Sequence, residues 1–364
     1  MEISSLSERF KIILLSILLA ILAVLIAPLI PAEHIPRSCL LTRVKGEVER
    51  WVIEEEKIVL RFKQPTQRAL AEWRDSGISD EIIALNLISI PDYACDPVTG
   101  KAIDSIPEIL QWNRSGFPSE YRSSSLREAW TYTGYNPMTQ ATSTQFELKP
   151  QPIIRKKPIY RKYESTRDNP PIGYLRTSSR LASDLLKLDM SARSIDEITS
   201  MFWEEVFRSD RPVILTEGAK KAASLLSNGY IAVSIPGACR AIDMSKGKET
   251  GTISLKADLE PLLRTQRKIF IAFDNDSNPN VRKLVTSAIL TTGKLLTEAG
   301  AEVRVVTIEG REKGIDDFIV SRGRAALDIL ISQSKSLADW ELGLSEPVDL
   351  QMLTASPICG PPTY

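Results

Sequence analysis

Three acidic residues, Glu217, Asp274 and Asp276, directly follow apolar stretches that have the length and composition of buried strands. Glu217 follows residues 212–216 (PVILT), and the two aspartates follow residues 269–273 (IFIAF) in an Asp-Asn-Asp run. Because alternate residues of an extended segment point the same way, both aspartates can face one cation. Mg²⁺ binds few carboxylate oxygens and keeps several waters, which leaves positions for a substrate phosphate. The alternative is that these acids only cap or solvate loops.

The amino-acid composition excludes several classes of catalytic and metal site. The single histidine, His34, excludes Ser-His-Asp triads, Cys-His pairs and HExxH zinc sites as a class, since each needs an imidazole at the reaction centre. Lys plus Arg and Asp plus Glu both number 46, so any attraction for phosphate must be local. The cysteines show no CxxC spacing, so we expect reduced, buried thiols and no zinc ribbon. They are Cys39, Cys95, Cys239 and Cys359. Carboxylates and a metal ion must therefore do the chemistry.

Cations and further acids lie near these carboxylates in the sequence. Lys220 and Lys221 fall in the first turn of a helix that follows Glu217, where the helix N-terminus already favours anions, so we predict phosphate contacts for them. The alternative is that they are ordinary surface residues. Asp316 and Asp317, in EKGIDDFIV, are candidates for an outer metal ligand or for a cap of the following helix.

The elements that position these residues alternate between strand and helix from residue 211 onward. Such alternation predicts an α/β fold, a Rossmann-like parallel sheet flanked by helices, with ligands at the carboxyl ends of the strands. The predicted strands are 212–216, 230–237, 268–273 and 302–308, and the predicted helices are 218–229, 258–264 and 281–299.

We divide the chain into five segments. The α/β domain, residues 211–340, is preceded by a small irregular α+β region. From residue 91 to 151 we expect irregular structure, with only short strands near 129–132 and 145–148. The other segments are an N-terminal apolar helix (1–36), a helical or irregular module (37–150), a basic linker with helices (151–210) and a disordered tail (341–364).

Residues 12–30 read IILLSILLAILAVLIAPLI, which is long enough to cross a bilayer. They predict a transmembrane helix that anchors a cytoplasmic protein to the inner membrane. The alternative is a start codon assigned too far upstream.

Five cations lie close together in the basic segment and alternate with Tyr160 and Tyr163. Phosphates of a single DNA strand would take the charge and its bases would stack on the rings. A solvated linker is the alternative. The cations are Arg155, Lys156, Lys157, Arg161 and Lys162.

Read together, the Glu-Gly after a strand, the paired lysines, the Asp-x-Asp run and the KGIDD segment resemble the TOPRIM domain of primases and topoisomerases. The resemblance implies that Glu217 is a general acid/base or metal ligand and that Asp274 and Asp276 hold Mg²⁺ or Mn²⁺.

A closer likeness covers residues 64–340, through WRDSGISDEIIALNLISI, ILTEGAKKAASLLSNGYIAVSIPGACRA, FIAFDNDS and EKGIDDFIV. These strings resemble a domain of unknown function found in cyanobacterial plasmid replication proteins and phage primase-helicases. That family implies replication of a mobile element. Because no GxxxxGK[ST] phosphate loop is present in the sequence, a helicase would have to be a separate partner.

Two functions therefore compete at this stage. One is a metal-dependent enzyme acting on DNA, a primase-like nucleotidyl transferase or a nuclease. The other is a non-catalytic module that binds single-stranded DNA or docks a replication partner, tethered to a membrane through residues 12–30.

Overall fold

The computed structural model describes residues 51–52, 60–61, 64–91, 93–95, 102–104, 128–151, 164–165, 172–187, 189, 193–243 and 253–344. The chain divides into two compact units, residues 1–60 with 94–103, and residues 61–93 with 104–364. The predicted membrane helix, the basic segment at 155–162 and the C-terminal tail beyond residue 344 lie outside the described residues. The second unit contains the parallel sheet and the acidic residues Glu217, Asp274 and Asp276.

The described strands, in chain order, are β1 (Trp51–Val52), β2 (Leu60–Arg61), β3 (Leu87–Pro91), β4 (Tyr93–Cys95), β5 (Ala102–Asp104), β6 (Glu128–Asn136), β7 (Ala141–Gln151), β8 (Glu164–Ser165), β9 (Tyr174–Leu175), β10 (Val213–Glu217), β11 (Ala232–Ile235), β12 (Ile242–Asp243), β13 (Ser254–Leu255), β14 (Lys268–Ala272), β15 (Glu302–Val305) and β16 (Lys335–Ser336). The described α-helices are α1 (Gln67–Arg74), α2 (Asp80–Asn86), α3 (Ser179–Leu186), α4 (Ile195–Arg208), α5 (Ala219–Ser227), α6 (Pro279–Glu298), α7 (Ile315–Ser332) and α8 (Leu337–Leu342).

The central sheet has the strand order β11-β10-β14-β15-β16. β10 pairs in parallel with β11 and β14, and β15 pairs in parallel with β14, as the alternation of strands and helices predicted. The two-residue strand β16 adds an antiparallel edge next to β15 that was not predicted. Its sequence, Lys-Ser, has no apolar run, so only its position beside β15 makes it a strand.

The parallel strands are buried on both faces because helices cover them. Full burial is seen, for example, at Leu215, Val233 and Ile271, which are each 0% exposed. Helix α6 begins at Pro279, after the capping side chain of Asn278, and ends at Glu298, close to the predicted bounds. The segment predicted as a helix at 258–264 is instead a 3₁₀ helix, Ala257–Leu262, because Pro261 inside it cannot donate the hydrogen bond that an α-helix needs.

A second, antiparallel sheet has the order β3-β6-β7-β8, with β9 pairing to β6. Its hairpin β6–β7 has strands of nine and eleven residues, so the expectation of irregular structure with short strands between residues 91 and 151 was wrong. Three aromatic residues of β6, Trp130, Tyr132 and Tyr135, are buried to 3% exposure or less and stabilise this hairpin against the core. The pairing is local, with Asn136 opposite Ala141, but the surrounding Ser- and Pro-rich sequence concealed the length of the strands.

Gly173 joins the antiparallel sheet to the open edge of the parallel one. Its backbone N–H donates to Ser234 O at 2.7 Å, and Ser234 N–H donates back to Gly173 O at 2.9 Å. A Cβ at this position would lie 2.7 Å from Tyr132 Oη and 2.8 Å from Ser234 Cβ. Only glycine therefore allows the chain to cover the edge of β11.

Two smaller findings complete the fold. Ser79 caps helix α2 by accepting a hydrogen bond from Ile82 N–H. Cys239 is disulfide-bonded, so the expectation of reduced thiols was wrong for this residue; sequence spacing cannot show which cysteines meet in the fold.

None of the helices in the described part of the chain has the length and apolar character needed to cross a membrane.

Candidate metal and phosphate site

The acidic residues lie at the carboxyl edge of the parallel sheet. Glu217 is the last residue of β10, and Asp274 follows β14 by two residues. These strands are neighbours in register, with Thr216 opposite Ala272, and Thr216 Oγ1 donates to Ala272 O at 2.9 Å. Glu217 and Asp274 therefore leave the sheet side by side at the same edge.

Lys221, on the first turn of α5, forms an ion pair with the buried aspartate. Its Nζ lies 3.1 Å from Asp274 Oδ1, and the two side chains are only 18% and 11% exposed. Burial alone would lower the pKa of Lys221, but the carboxylates of Asp274, Asp316 and Glu217 together raise it above its ordinary value. We call Lys221 and Asp274 the inner pair. It holds a permanent positive charge among three carboxylates.

Two further groups enclose the inner pair. Asp316 in the first turn of α7 is buried at 6% exposure. A Cβ on Gly314 would lie 2.4 Å from Lys221 Cε and 2.7 Å from Asp316 Oδ1, so these side chains would have to shift for any larger residue. The backbone at Gly314 therefore lies directly against the inner pair.

Burial dominates the titration of Asp274. It raises the pKa of this carboxyl above its ordinary value, and the charges of Lys221 and Lys313 offset the effect only in part. Among the described residues, none makes a hydrogen bond of good geometry to Asp274 Oδ1, although the Lys221 ammonium is near it. A buried carboxylate oxygen in this state would be stabilised by another cation.

Asp276 and Lys313 form a second ion pair, which we call the outer pair. Lys313 Nζ lies 2.8 Å from Asp276 Oδ2 and 4.0 Å from Asp274 Oδ2. The Lys313 side chain is 58% exposed. Its hydrogen bond lowers the pKa of Asp276, with a further contribution from the Asn278 N–H, and the same contact raises the pKa of Lys313.

Asn275, the middle residue of the Asp-Asn-Asp run, fixes the backbone of the loop that carries Lys313. Its N–H donates to Lys313 O at 2.8 Å, and its Nδ2 donates to Ile308 O at 3.0 Å. Glu312 forms an ion pair with Arg322 at 2.9 Å, and the hydrogen bond from Arg322 lowers the pKa of Glu312 to about 2. The loop is therefore held at both sides while the Lys313 side chain extends from it.

Asp317 and Lys220 occupy positions other than the predicted metal and phosphate contacts. Asp317 is exposed and accepts a hydrogen bond from Gly314 N–H at 3.3 Å, which fits the capping alternative. Lys220 Nζ lies 3.3 Å from Glu72 Oε1 on α1, and Glu72 Oε2 accepts from Trp130 Nε1 at 3.2 Å. Lys220 thus links α5 to the N-terminal helices.

In the described part of the chain, no group of three or more His, Cys, Asp or Glu side chains is arranged as a metal site. The set of donors nevertheless fits Mg²⁺ or Mn²⁺ in kind, since all are carboxylate oxygens and two such ligands, completed by water, are enough for Mg²⁺. Asp274 Oδ1 faces the Lys221 ammonium, so Oδ2, on the side of Lys313, is the oxygen left for a metal ion. Of the acids predicted as ligands, Asp274 and Asp276 approach the same cation, the ammonium of Lys313.

Sequence reasoning missed the roles of Lys313, Asn275 and Glu72. The KGIDD string contains Lys313, and its position after the strand that neighbours the Asp-Asn-Asp strand was the available signal. Nothing in the sequence indicates that Glu72 meets Lys220, because 148 residues separate them. The five predicted DNA-binding cations at 155–162 lie outside the described residues.

Comparison with known proteins gives a family match over part of the chain. The model of the domain of unknown function DUF3854 matches residues 202–326, which include the whole acidic edge. An uncharacterized protein of Picosynechococcus sp. is 39% identical over 153 residues, which is 41% of this chain. The match spans only 15% of that relative's own length.

Several solved structures superpose on the chain at low sequence identity. The zinc-binding and RNA polymerase domains of the Aquifex aeolicus primase align with a TM-score of 0.41 and 15% identity, over 76% of this chain and 58% of that one. A DnaG catalytic core aligns with a TM-score of 0.41 and 14% identity, over 76% of each chain. A DnaG primase catalytic domain bound to single-stranded DNA gives 0.41 and 14%, over 77% and 78%. TM-scores of this size do not establish a shared fold, so the residues of the site must support any functional conclusion.

Proposed function

We propose that this protein is a replication-associated TOPRIM-like protein that uses Mg²⁺ or Mn²⁺ for phosphoryl transfer on nucleic acid, as a primase-like nucleotidyl transferase or a strand-cleaving enzyme. The observation that supports it most is the pairing of Asp274 and Asp276 around one cation position at the carboxyl edge of β14. Edges of this kind are where open parallel sheets bind ligands.

In this proposal each residue of the edge has a separate task. A divalent ion, when bound, would neutralise charge on the reacting phosphoryl group. Asp274 and Asp276 would hold it, and Asp274 would be fixed in place by Lys221. Glu217, at the neighbouring strand end, would take or give a proton at the attacking or leaving oxygen.

The substrate we propose is single-stranded DNA, with the basic segment at 155–162 as the surface that follows its phosphates. Net charge is zero, so binding depends on these local cations. Neutralising Arg155, Lys156 and Lys157 together should weaken binding of a labelled oligonucleotide and reduce its salt dependence.

The activity is tested with labelled single-stranded DNA and nucleotides in Mg²⁺ or Mn²⁺, comparing the wild type with Asp274→Asn and Asp276→Asn. We expect primer extension or cleavage by the wild type and its loss, by a factor of about 100 or more, in both variants. Activity that persists in both variants would contradict the assignment.

A non-catalytic role in DNA binding or partner docking is the second candidate. It is favoured by the lysines that already pair with Asp274 and Asp276 and by the lack, within the described residues, of a three-acid metal group. DNA binding by the wild type without any turnover, and unchanged in Asp276→Asn, would support this function. A separate helicase as partner, and a membrane tether at residues 12–30, remain predictions that co-purification and fractionation can test.

A further inference from the structure

We propose that Lys313 is a replaceable counter-ion, which occupies the position of the divalent ion between Asp274 and Asp276 and must leave when that ion binds. The inference rests on the proposed function, because it assumes that a divalent ion binds at this edge. It adds a residue that sets the affinity of the site and that no motif of metal ligands contains.

The ammonium group of Lys313 lies within ion-pair distance of both aspartates. The Oδ2 atoms of Asp276 and Asp274 are 2.8 Å and 4.0 Å from it. A divalent ion bound by the same two oxygens, at about 2 Å from each, would lie close enough to the ammonium group for the two positive charges to repel each other strongly. The two cations therefore compete for the same oxygens.

The two lysines differ in how easily their ammonium groups can leave the aspartates, because Lys313 is exposed and Lys221 is largely buried. Lys313 is 58% exposed, so its ammonium can move into water at little cost. Lys221 is 18% exposed and pairs with Asp274, so moving its ammonium would leave a largely buried carboxylate without its counter-ion. The backbone at Lys313 is held by Asn275, so the displaced side chain pivots on a fixed point.

The charges at the edge favour this exchange. Glu217, Asp274, Asp276 and Asp316 carry four formal negative charges, and Lys221 and Lys313 carry two positive ones, which leaves a formal charge of minus two. Exchanging the ammonium of Lys313 for a divalent ion removes one further negative charge from the site. A monovalent ion in the same position would change nothing, so the exchange selects for divalent ions.

The test measures Mn²⁺ binding by electron paramagnetic resonance and by calorimetry, without nucleotide or DNA, so that no catalytic step is involved. Lys313→Met keeps most of the side-chain volume and removes the charge. We expect it to bind Mn²⁺ about tenfold more tightly than the wild type, because a competing positive charge at ion-pair distance is gone. Lys294→Met is the matched control, since Lys294, on helix α6, forms a 2.8 Å ion pair with Glu341 on helix α8. It should bind Mn²⁺ as the wild type does.

The outcomes separate this inference from the proposed function. If the wild type binds Mn²⁺ and Lys313→Met binds it equally or more weakly, the exchange is wrong while the metal site stands. If neither the wild type nor Lys313→Met binds Mn²⁺, the metal site itself is wrong and the inference falls with it. Binding that appears only in Lys313→Met, and is lost in the double variant with Asp276→Asn, would support the exchange most strongly.

Discussion

The inner and outer pairs have the same chemistry, a lysine beside an aspartate, but they are built differently. Lys221 and Asp274 are 18% and 11% exposed, and α5 and the chain at Gly314 enclose them. In the outer pair, Lys313 is 58% exposed and Asp276 17%. The comparison shows that one charge pair can be largely buried while its neighbour, whose aspartate is only two residues further along the chain, has its lysine exposed to water.

The largest difference should appear when each lysine is removed in turn. Lys221→Met leaves buried carboxylates without their counter-ion and should lower the free energy of unfolding by about 3–5 kcal/mol. Lys313→Met removes a half-exposed pair and should cost less than about 1 kcal/mol. Urea unfolding of both variants measures the two values.

Combining Lys221→Met with Asp274→Asn separates the effect of the lost charge from any effect of the new side chain on packing. Asp274→Asn should recover part of the stability lost in Lys221→Met, since the buried negative charge is then absent too. Equal losses in Lys221→Met and Lys313→Met, or no recovery in the double variant, would remove the distinction between the two pairs.

The enclosure of the inner pair is tested at Gly314. In Gly314→Ala the new Cβ would lie 2.4 Å from Lys221 Cε, so the Lys221 side chain must shift, at a cost of roughly 1–3 kcal/mol. Gly343→Ala is the matched control, because its nearest neighbours would lie 3.4 Å and 3.6 Å away and its φ is −81°. Thermal unfolding compares them, and a Gly314→Ala protein as stable as Gly343→Ala would show that the enclosure is loose.

The loop that carries the outer pair should depend on Asn275. Asn275→Ala loses the hydrogen bond from Nδ2 to Ile308 O, worth about 1 kcal/mol, and should speed amide exchange in residues 308–314. Asn228→Ala loses a similar bond, from Nδ2 to Ser224 O at 2.9 Å, at the end of α5, and serves as the control. Unchanged exchange in residues 308–314 of Asn275→Ala would mean that the Glu312–Arg322 contact is enough to hold the loop.

As the pH falls, the two aspartates should change the stability of the protein in opposite directions. The pKa of Asp276 is lowered, so its contribution to stability is present above its unfolded pKa and is lost as the pH falls through the folded value. The pKa of Asp274 is raised by burial, so its ionised form costs stability, and that cost is relieved as the pH falls. Carboxyl resonances followed by NMR should show the Asp276 pKa rising in Lys313→Met. If it stays where it is in the wild type, the outer ion pair does not form in solution.

Much of the parallel sheet could be predicted from sequence because its strands are short apolar runs separated by helices with clear ends. The apolar runs before Glu217 and Asp274 determine which residues reach the carboxyl edge of the sheet. The position of these two acids at that edge could therefore be predicted from the sequence. The full length of the hairpin β6–β7 could not be predicted, since its strands lie in a Ser- and Pro-rich segment with little apolar pattern. The edge strand β16 could not be predicted either, because it depends on pairing with β15, which is distant in the sequence.

The finer arrangement of the site was beyond sequence reasoning for a similar reason. Lys220 and Lys221 are neighbours on one helix turn, yet one meets Glu72 and the other Asp274. Successive helix residues point about 100° apart, so adjacent lysines reach different surroundings. Which surroundings these are depends on the packing of α1 and on the loop that carries Lys313, and neither can be deduced from spacing.

Anomalous diffraction from crystals grown in Mn²⁺ would show whether the two aspartates share a divalent ion. We predict a Mn²⁺ peak about 2 Å from oxygens of both Asp274 and Asp276, with Lys313 turned away and Lys221 still beside Asp274. A peak at another place in the molecule, or no peak with the Lys313 ammonium still between the aspartates, would contradict it.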